Sequence, residues 1–358
     1  MNTESSSKKW REAFSGVLLG TAVGDALGLP AENLSPDRIR KRWSGEWRMR
    51  FLFGRGMISD DTEHTIMVAQ TLLSHSDDSV AFQRALGWKF RWWFTGLPGG
   101  VGLATAKACL RLWIGFPANK CAVLSAGSGP AMRSAILGAF FADEPEKRRE
   151  FVLASSRLTH RGWQAETAAL AVAEAAALAA RGQGASDIGQ VFSTMRRLSE
   201  ENEWQTRVSQ IESCLKAGNS VSDFTFSLGL KTGVTGYSLH VVPVVLYAWL
   251  RHSSDFRFAL TSAIKCGGDT DTVGAILGAL CGSTTGTKGI PAKWIHNIWE
   301  WPRSCRFMEH LGKRLADQKS SSASLGPVRY FWPGLIPRNL LFLAVVLAHG
   351  FRRLAPPY

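Results

Sequence analysis

Residues 10–29 read WREAFSGVLLGTAVGDALGL, and four glycines in that stretch, Gly16, Gly20, Gly24 and Gly28, recur at a strict four-residue interval among Leu18, Leu19, Val23 and Leu27. Wound as an α-helix, they lie one above the other and make a smooth stripe along one face. Each glycine costs a helix about 1 kcal/mol relative to alanine. Four in register make sense only where another backbone packs against the stripe. The same spacing returns at Gly274, Gly278, Gly282 and Gly286. The sequence therefore puts two glycine-striped helices at the centre of the fold, each a candidate to pack on the other.

Working outward, apolar residues at helical spacing predict helices over Glu63–Leu73, Thr105–Trp113, Met132–Phe141, Gln164–Arg181, Val208–Ala217, Val241–Arg251 and Phe256–Cys266. Gly182 is placed to close the alanine-rich segment as a C-cap. Sustained β alternation is nearly absent, its best instance being the short Asp223–Leu230. The class expected is all-α, one compact multi-helix domain. Residues 1–9 read as a flexible lead-in, 10–316 as the domain, and 317–358 as a linker (QKSSSAS, 318–324) and an apolar, basic tail. Leu340–Ala348 is apolar throughout but only nine residues long, too short to span a bilayer. A terminal helix docked on the core is preferred for it over peripheral membrane attachment.

The 358 residues carry a formal net charge of +13, which favours acidic partners: a diphosphate-bearing ligand, nucleic acid or an anionic membrane surface. The six cysteines, at 109, 121, 214, 266, 281 and 305, form no C-x-x-C pair, so neither a zinc site nor a disulfide framework is indicated. With a polar, Ser/Lys-rich start lacking an apolar core, the expectation is a cytoplasmic protein.

Chemistry concentrates in two acidic clusters, Ser59-Asp60-Asp61-Thr62 and Gly267-Gly268-Asp269-Thr270-Asp271-Thr272, each immediately before an apolar helical run. One such cluster alone reads as a helix N-cap with acidic first-turn residues. Two of them, built only from hard oxygen donors, suit Mg²⁺ or Mn²⁺ rather than zinc or copper. Meeting in space, their four aspartates could hold two ions, the layout of a two-metal hydrolytic site.

These clusters belong to a longer series of segments. GTAVGDALGLPAE (20–32), SDDT (59–62), GGVGLAT (99–105), GSGPAMR (127–133), LTH (158–160), GYSLHVVPVVL (236–246) and GGDTDTVGAILG (267–278) occur in an order that resembles the ADP-ribosylglycohydrolases. SDDT paired with GGDTDT is the specific part. The resemblance implies an all-α orthogonal helical domain around two divalent cations, Mg²⁺ or Mn²⁺, that cleaves ADP-ribose from a modified protein. By motif position, Ser59, Asp60, Asp61, Asp269, Asp271 and Thr272 would be metal ligands. Glu32, with Asp60 or Asp61, would be catalytic. Gly99, Gly100, Gly102, Gly127, Ser128, Gly129 and His160 would line the substrate site. Ser128 departs from the asparagine common in that motif. Asp25 ranks first as a brace for the striped helix, and Trp88, Trp92, Trp93 and Trp163 are candidates to stack on adenine.

The expected reaction is metal-dependent hydrolysis of the bond joining ADP-ribose to a protein side chain, arginine favoured. The alternatives are a serine-linked, nucleic-acid-linked or O-acetyl-ADP-ribose conjugate, and a non-catalytic ADP-ribose-binding protein on the same fold. No motif supports a nucleic-acid partner.

Overall fold

The computed structural model describes residues 3–183, 187–320 and 324–354. It is helical throughout, with isolated β-bridges and no strand among the described residues. Eight helices carry the argument: α1 (Thr3–Gly28), α2 (Asp60–Leu72), α3 (Ser79–Thr95), α4 (Trp163–Arg181), α5 (Ser238–His252), α6 (Thr270–Thr285), α7 (Cys305–Lys319) and α8 (Leu335–Leu354).

The two glycine stripes meet. α1 and α6 run antiparallel with Gly16 against Gly282, Gly20 against Gly278, Gly24 against Gly274 and Gly28 against Thr270. At each level a methyl group would run into the carbonyl of the facing residue, so the contact is backbone on backbone, which side chains of any size would prevent. Gly312 of α7 approaches the backbone of Ser15 in the same way, and Gly138 approaches Ala173 of α4. α1 is thus enclosed on several sides, and residues 13–31 lie in the core. The alanines of α4, buried over Ala165–Ala180, fill the layer behind it, and αL Gly182 caps α4 as expected.

Several expectations change. Residues 3–9 continue α1 instead of forming a flexible lead-in, while 1–2 lie outside the described residues. Met132–Phe141 is two short helices, Gly129–Met132 and Ala135–Phe140. The supposed β segment at Asp223–Leu230 is helical over Val221–Ser227. There Ser220 and Asp223 form a reciprocal capping box whose local hydrogen bonds outweigh a weak alternation.

The C-terminal region differs most. α7 runs past Ala316 to Lys319, and of the expected linker, residues 321–323 lie outside the described residues. Val328 exchanges hydrogen bonds with the Gln70 side chain at 2.7 and 2.8 Å, which ties the following segment to α2. The nine-residue apolar run belongs to a helix of 20 residues, long and apolar enough by composition to cross a membrane but docked here along one face. Its Arg338 is buried and forms two hydrogen bonds to Glu300, at 2.8 and 2.7 Å. Glu63 of α2 lies between Arg338 and the buried Arg303. This is a buried ionic cluster, and Phe342 and Val345 pack beside it with Leu29, Phe51 and Met57.

Candidate functional site

Antiparallel packing of α1 on α6 brings the C-terminal end of α1 beside the N-terminus of α6, and Thr270 locks the junction by donating to the Gly28 carbonyl at 2.8 Å. Asp269, Asp271 and Thr272 stand at that N-terminus, with Glu32 at the end of the short turn following α1. Asp60 and Asp61 open α2, whose N-terminus is tied to α1 by Asp25. One carboxylate oxygen of Asp25 accepts from the Ser59 N–H at 2.9 Å, the Thr62 N–H at 3.2 Å and the Thr62 hydroxyl at 2.5 Å. Two helix N-termini, each favouring negative charge, therefore converge at one end of the central pair.

The two motifs touch. Asp61 accepts from the Ser59 hydroxyl at 3.2 Å and from the Thr272 hydroxyl at 3.4 Å across the gap. The Thr272 N–H donates to Asp271 at 3.0 Å. Gly267 and Gly268, both at positive φ, make this approach possible. Gly268 hydrogen-bonds to Leu34 and Asn33 on one side, while Gly267 and Asp269 bond to Val234 on the other. A Cβ at Gly268 would collide with the Val234 backbone, so two loops close around a turn only glycine can make.

The electrostatics are unfavourable as they stand. Burial, followed by the charges of Asp25 and Glu63, pushes the Asp60 carboxyl well above its ordinary range. Burial followed by Asp60 does the same to Asp61, and burial followed by Glu32 to Asp271. Asp269 is raised by burial against several hydrogen bonds, and Glu32 by burial and Asp269 against the opposing charge of Arg353. Asp25 rises to about 6 by burial, its hydrogen bonds from Thr62 and Ser59 offsetting part of the shift. The second oxygens of Asp25 and Asp61 are buried without a partner. Crowded carboxylates with orphaned oxygens are the environment that a divalent cation relieves, and the donor set is all hard oxygen. The residues thus fit Mg²⁺ or Mn²⁺ in kind. Among the described residues, no three His, Cys, Asp or Glu side chains converge on a single point; the two motifs are joined through Asp61, which both the Ser59 and Thr272 hydroxyls reach.

The cleft itself, about 460 Å³, is lined by Glu32, Asn33, Thr232–Gly236, Gly268 and Asp269. The second glycine segment borders it: the Ser128 N–H donates to the Gly236 carbonyl at 3.1 Å. His160 lies against this segment, so that a Cβ at Gly129 would press on its ring and one at Gly127 would crowd its Nε2. Its Nδ1 meets the Thr159 hydroxyl at 2.8 Å. Burial, reinforced by Arg133, lowers the His160 pKa to about 3, so the ring is neutral. Arg133, fully buried, holds the assembly from behind by donating to the Gly129 carbonyl at 3.0 Å and the Thr159 hydroxyl at 2.7 Å.

The first glycine segment meets the acidic cluster at Asp60. Gly100, at positive φ, faces Asp60, whereas Gly99 packs against Phe342 of α8 and Gly102 is open. None of the four candidate tryptophans lines the acidic cleft. Trp88, Trp92 and Trp93 border a separate cavity of about 660 Å³ that is mostly apolar and shares no lining residue with the acidic cleft, and Trp163 packs on the core. We assign the chemistry to the smaller cleft because two carboxylates of raised proton affinity, Glu32 and Asp269, line it.

Two supporting residues were not singled out from sequence. Glu300 accepts from the Ile58 N–H at 3.3 Å while Arg338 donates to the Ile58 carbonyl, so the residue preceding Ser59 is held from both sides by the ionic cluster. No local motif announces them, because the partners lie 242 and 280 residues from Ile58.

Comparison with known proteins agrees with this geometry. A family model described as ADP-ribosylglycohydrolase matches residues 6–324. An ADP-ribosyl-dinitrogen reductase glycohydrolase of Rhodospirillum rubrum is 26% identical over 297 residues, covering 79% of this chain and 89% of that protein. An ADP-ribosylarginine hydrolase of Pseudomonas putida is 25% identical over 336 residues, covering 88% and 81%. A solved structure described as an ADP-ribosylglycohydrolase-related protein complex superposes with a TM-score of 0.64 at 24% identity, covering 87% of this chain and 99% of that one, which establishes a shared fold.

Proposed function

Since the chain belongs to the ADP-ribosylglycohydrolase family and is a hydrolase of ADP-ribose conjugates, we propose that it releases ADP-ribose from arginine side chains of modified proteins in a reaction dependent on two divalent cations. The observation that carries this reading is the junction of the two acidic helix N-termini, with Asp61 linked to Ser59 and Thr272 and with Glu32 at the mouth.

Ser59, Asp60, Asp61, Asp269, Asp271 and Thr272 would hold the cations. Bound there, Mg²⁺ or Mn²⁺ would neutralise the carboxylates and orient the ribose hydroxyls as a Lewis acid. Glu32, with its proton affinity raised by burial and by Asp269, suits acceptance of a proton from the attacking water at the cleft mouth. The Gly127–Gly129 segment, kept in shape by Arg133 and neutral His160, offers a close backbone approach for the diphosphate. A cationic guanidinium leaving group gains from the acidic rim of Glu32 and Asp269, and the Pseudomonas putida relative's name supports arginine. The six cysteines are unpaired, in keeping with our proposal of a reducing, cytoplasmic setting.

The test is release of free ADP-ribose from arginine-, serine- and DNA-linked conjugates and from O-acetyl-ADP-ribose in parallel, with Glu32→Ala as control. Turnover of the arginine conjugate, sharply reduced in Glu32→Ala, is expected. Turnover of the serine, DNA or acetyl conjugate alone would refute the arginine assignment and leave the glycohydrolase, and no turnover of any would remove both.

A further inference from the structure

Among the described residues, three outside glycine adopt positive φ: Asn33, Phe53 and Leu97. Asparagine tolerates that region, but a phenylalanine or leucine there is strained. Both strained side chains point into solvent, Phe53 at 99% exposure and Leu97 at 57%. Backbone strain that delivers large apolar side chains to water points to a surface they are meant to meet.

Both tips flank α8. Phe51, two residues before Phe53, lies 5.4 Å from the His349 ring and 5.1 Å from that of Phe342, centroid to centroid. Gly96, just before Leu97, accepts from Asn339 at 2.7 Å. α8 turns Arg338, Asn339, Phe342 and Val345 inward, and its opposite face exposes Ile336, Leu340, Leu343, Leu347 and Phe351 in a continuous stripe. The spacing of four, three, four and four is one helical face. A helix of this composition is only one-third buried. The margins are basic: Arg48, Arg50 and Arg55 flank Phe53 along the chain, with Arg48 and Arg55 exposed, and Arg352 and Arg353 follow the stripe, on a chain of net charge +13.

We propose that this face docks on the surface of an anionic lipid bilayer, with Phe53 and Leu97 entering the interface beside the α8 stripe. Lipid fits better than a second copy because two identical basic margins would repel face to face. A projecting phenylalanine also needs no preformed pocket in a fluid surface, whereas a protein partner must supply one. Surface attachment fits better than spanning, because a transmembrane α8 would strip Arg338 from Glu300 and Glu63. Leu97 of the docked face lies two residues before Gly99 on the same loop, whose Gly100 faces Asp60, so attachment would hold the acidic cluster close to the membrane.

The experiment is co-sedimentation of the full chain with phosphatidylcholine vesicles with and without phosphatidylglycerol, at low and high salt, for the wild type, Phe53→Ser and Leu347→Glu. Binding to the anionic vesicles only, weakened by salt and by about tenfold or more in each variant, is expected, with thermal stability unchanged in both. Absence of wild-type binding, equal binding to neutral vesicles, or full retention in both variants would overturn the proposal. So would a concentration-dependent dimer broken by the same substitutions, which would assign the face to a second copy.

Discussion

Gly20→Ala probes the contact on which the rest of the fold is built. The facing atom is the Gly278 carbonyl oxygen, and the new methyl would sit far inside van der Waals distance of it, with the Gly282 Cα also in contact at 3.4 Å. Because this neighbour is backbone within a helix, it cannot rotate away. α1 and α6 must separate by about 1 Å or more, and the neighbouring levels at Gly16 and Gly24 lose their contact too. Alanine favours a helix over glycine by about 1 kcal/mol, against an overpacking cost that reaches about 3 kcal/mol or more in a rigid core. The net expectation is a loss of about 2–3 kcal/mol, or about 3–4 °C in melting temperature for a chain this large. Gly350→Ala is the matched control: it is also inside a helix, but nothing lies within 4 Å of its Cβ position, so stability should hold or rise slightly. Scanning calorimetry of both variants at one scan rate decides the matter. A Gly20→Ala melting temperature equal to or above wild type, moving together with Gly350→Ala, would refute the reasoning.

Three further outcomes follow from packing and charge. Arg338→Met leaves Glu300 buried without its partner and should cost about 3–5 kcal/mol, with Glu300→Gln in the same chain recovering part; a single variant within 1 kcal/mol of wild type in urea unfolding would contradict the ionic cluster. Removal of residues 325–358 uncovers Glu63, Glu300 and Phe51 together, so soluble yield should collapse, and an undiminished yield would show that α8 is dispensable. The His160 pKa is lowered by burial and by Arg133 to about 3 from 6.5, so below pH 6.5 the unfolded chain takes up a proton that the native ring refuses. Stability is then lost as pH falls, and the advantage of wild type over His160→Gln should shrink by about 2 kcal/mol between pH 7 and 5; a constant difference would mean the native ring protonates.

What could be read in the sequence was whatever repeats or clusters locally. The four-residue glycine interval predicts a close helix pair because only backbone contact makes the stripe worthwhile, and the structure pairs those glycines level by level. SDDT and GGDTDT each stand before an apolar run, and their meeting follows once α1 and α6 run antiparallel. Asp25 reads from sequence as a brace for the striped helix; it instead ties the N-terminus of α2 to that helix, and its second oxygen is buried without a partner, which only the three-dimensional arrangement reveals. The Ser220/Asp223 capping box was legible but was masked by alternating Phe224 and Phe226. Arg338 gave no signal at all, since an arginine at the edge of an apolar run looks like a solvated flank until Glu300 and Glu63 are brought to it. Phe53 and Leu97 were equally silent, because φ is not written in a residue's name.

The central claim, that the junction of α1, α2 and α6 is a two-cation glycohydrolase centre, is tested most directly by one paired measurement on the full chain. Divalent cations are removed with a chelator, and release of ADP-ribose from an arginine-linked conjugate is followed as Mg²⁺ or Mn²⁺ is returned, for wild type and Asp271→Asn, with calorimetry of the same samples. The account predicts no turnover without cation, recovery with about two ions bound per chain and a raised melting temperature in wild type, and a folded Asp271→Asn that stays inactive. Undiminished turnover in the chelated wild type, or an Asp271→Asn variant as active as wild type, would contradict it.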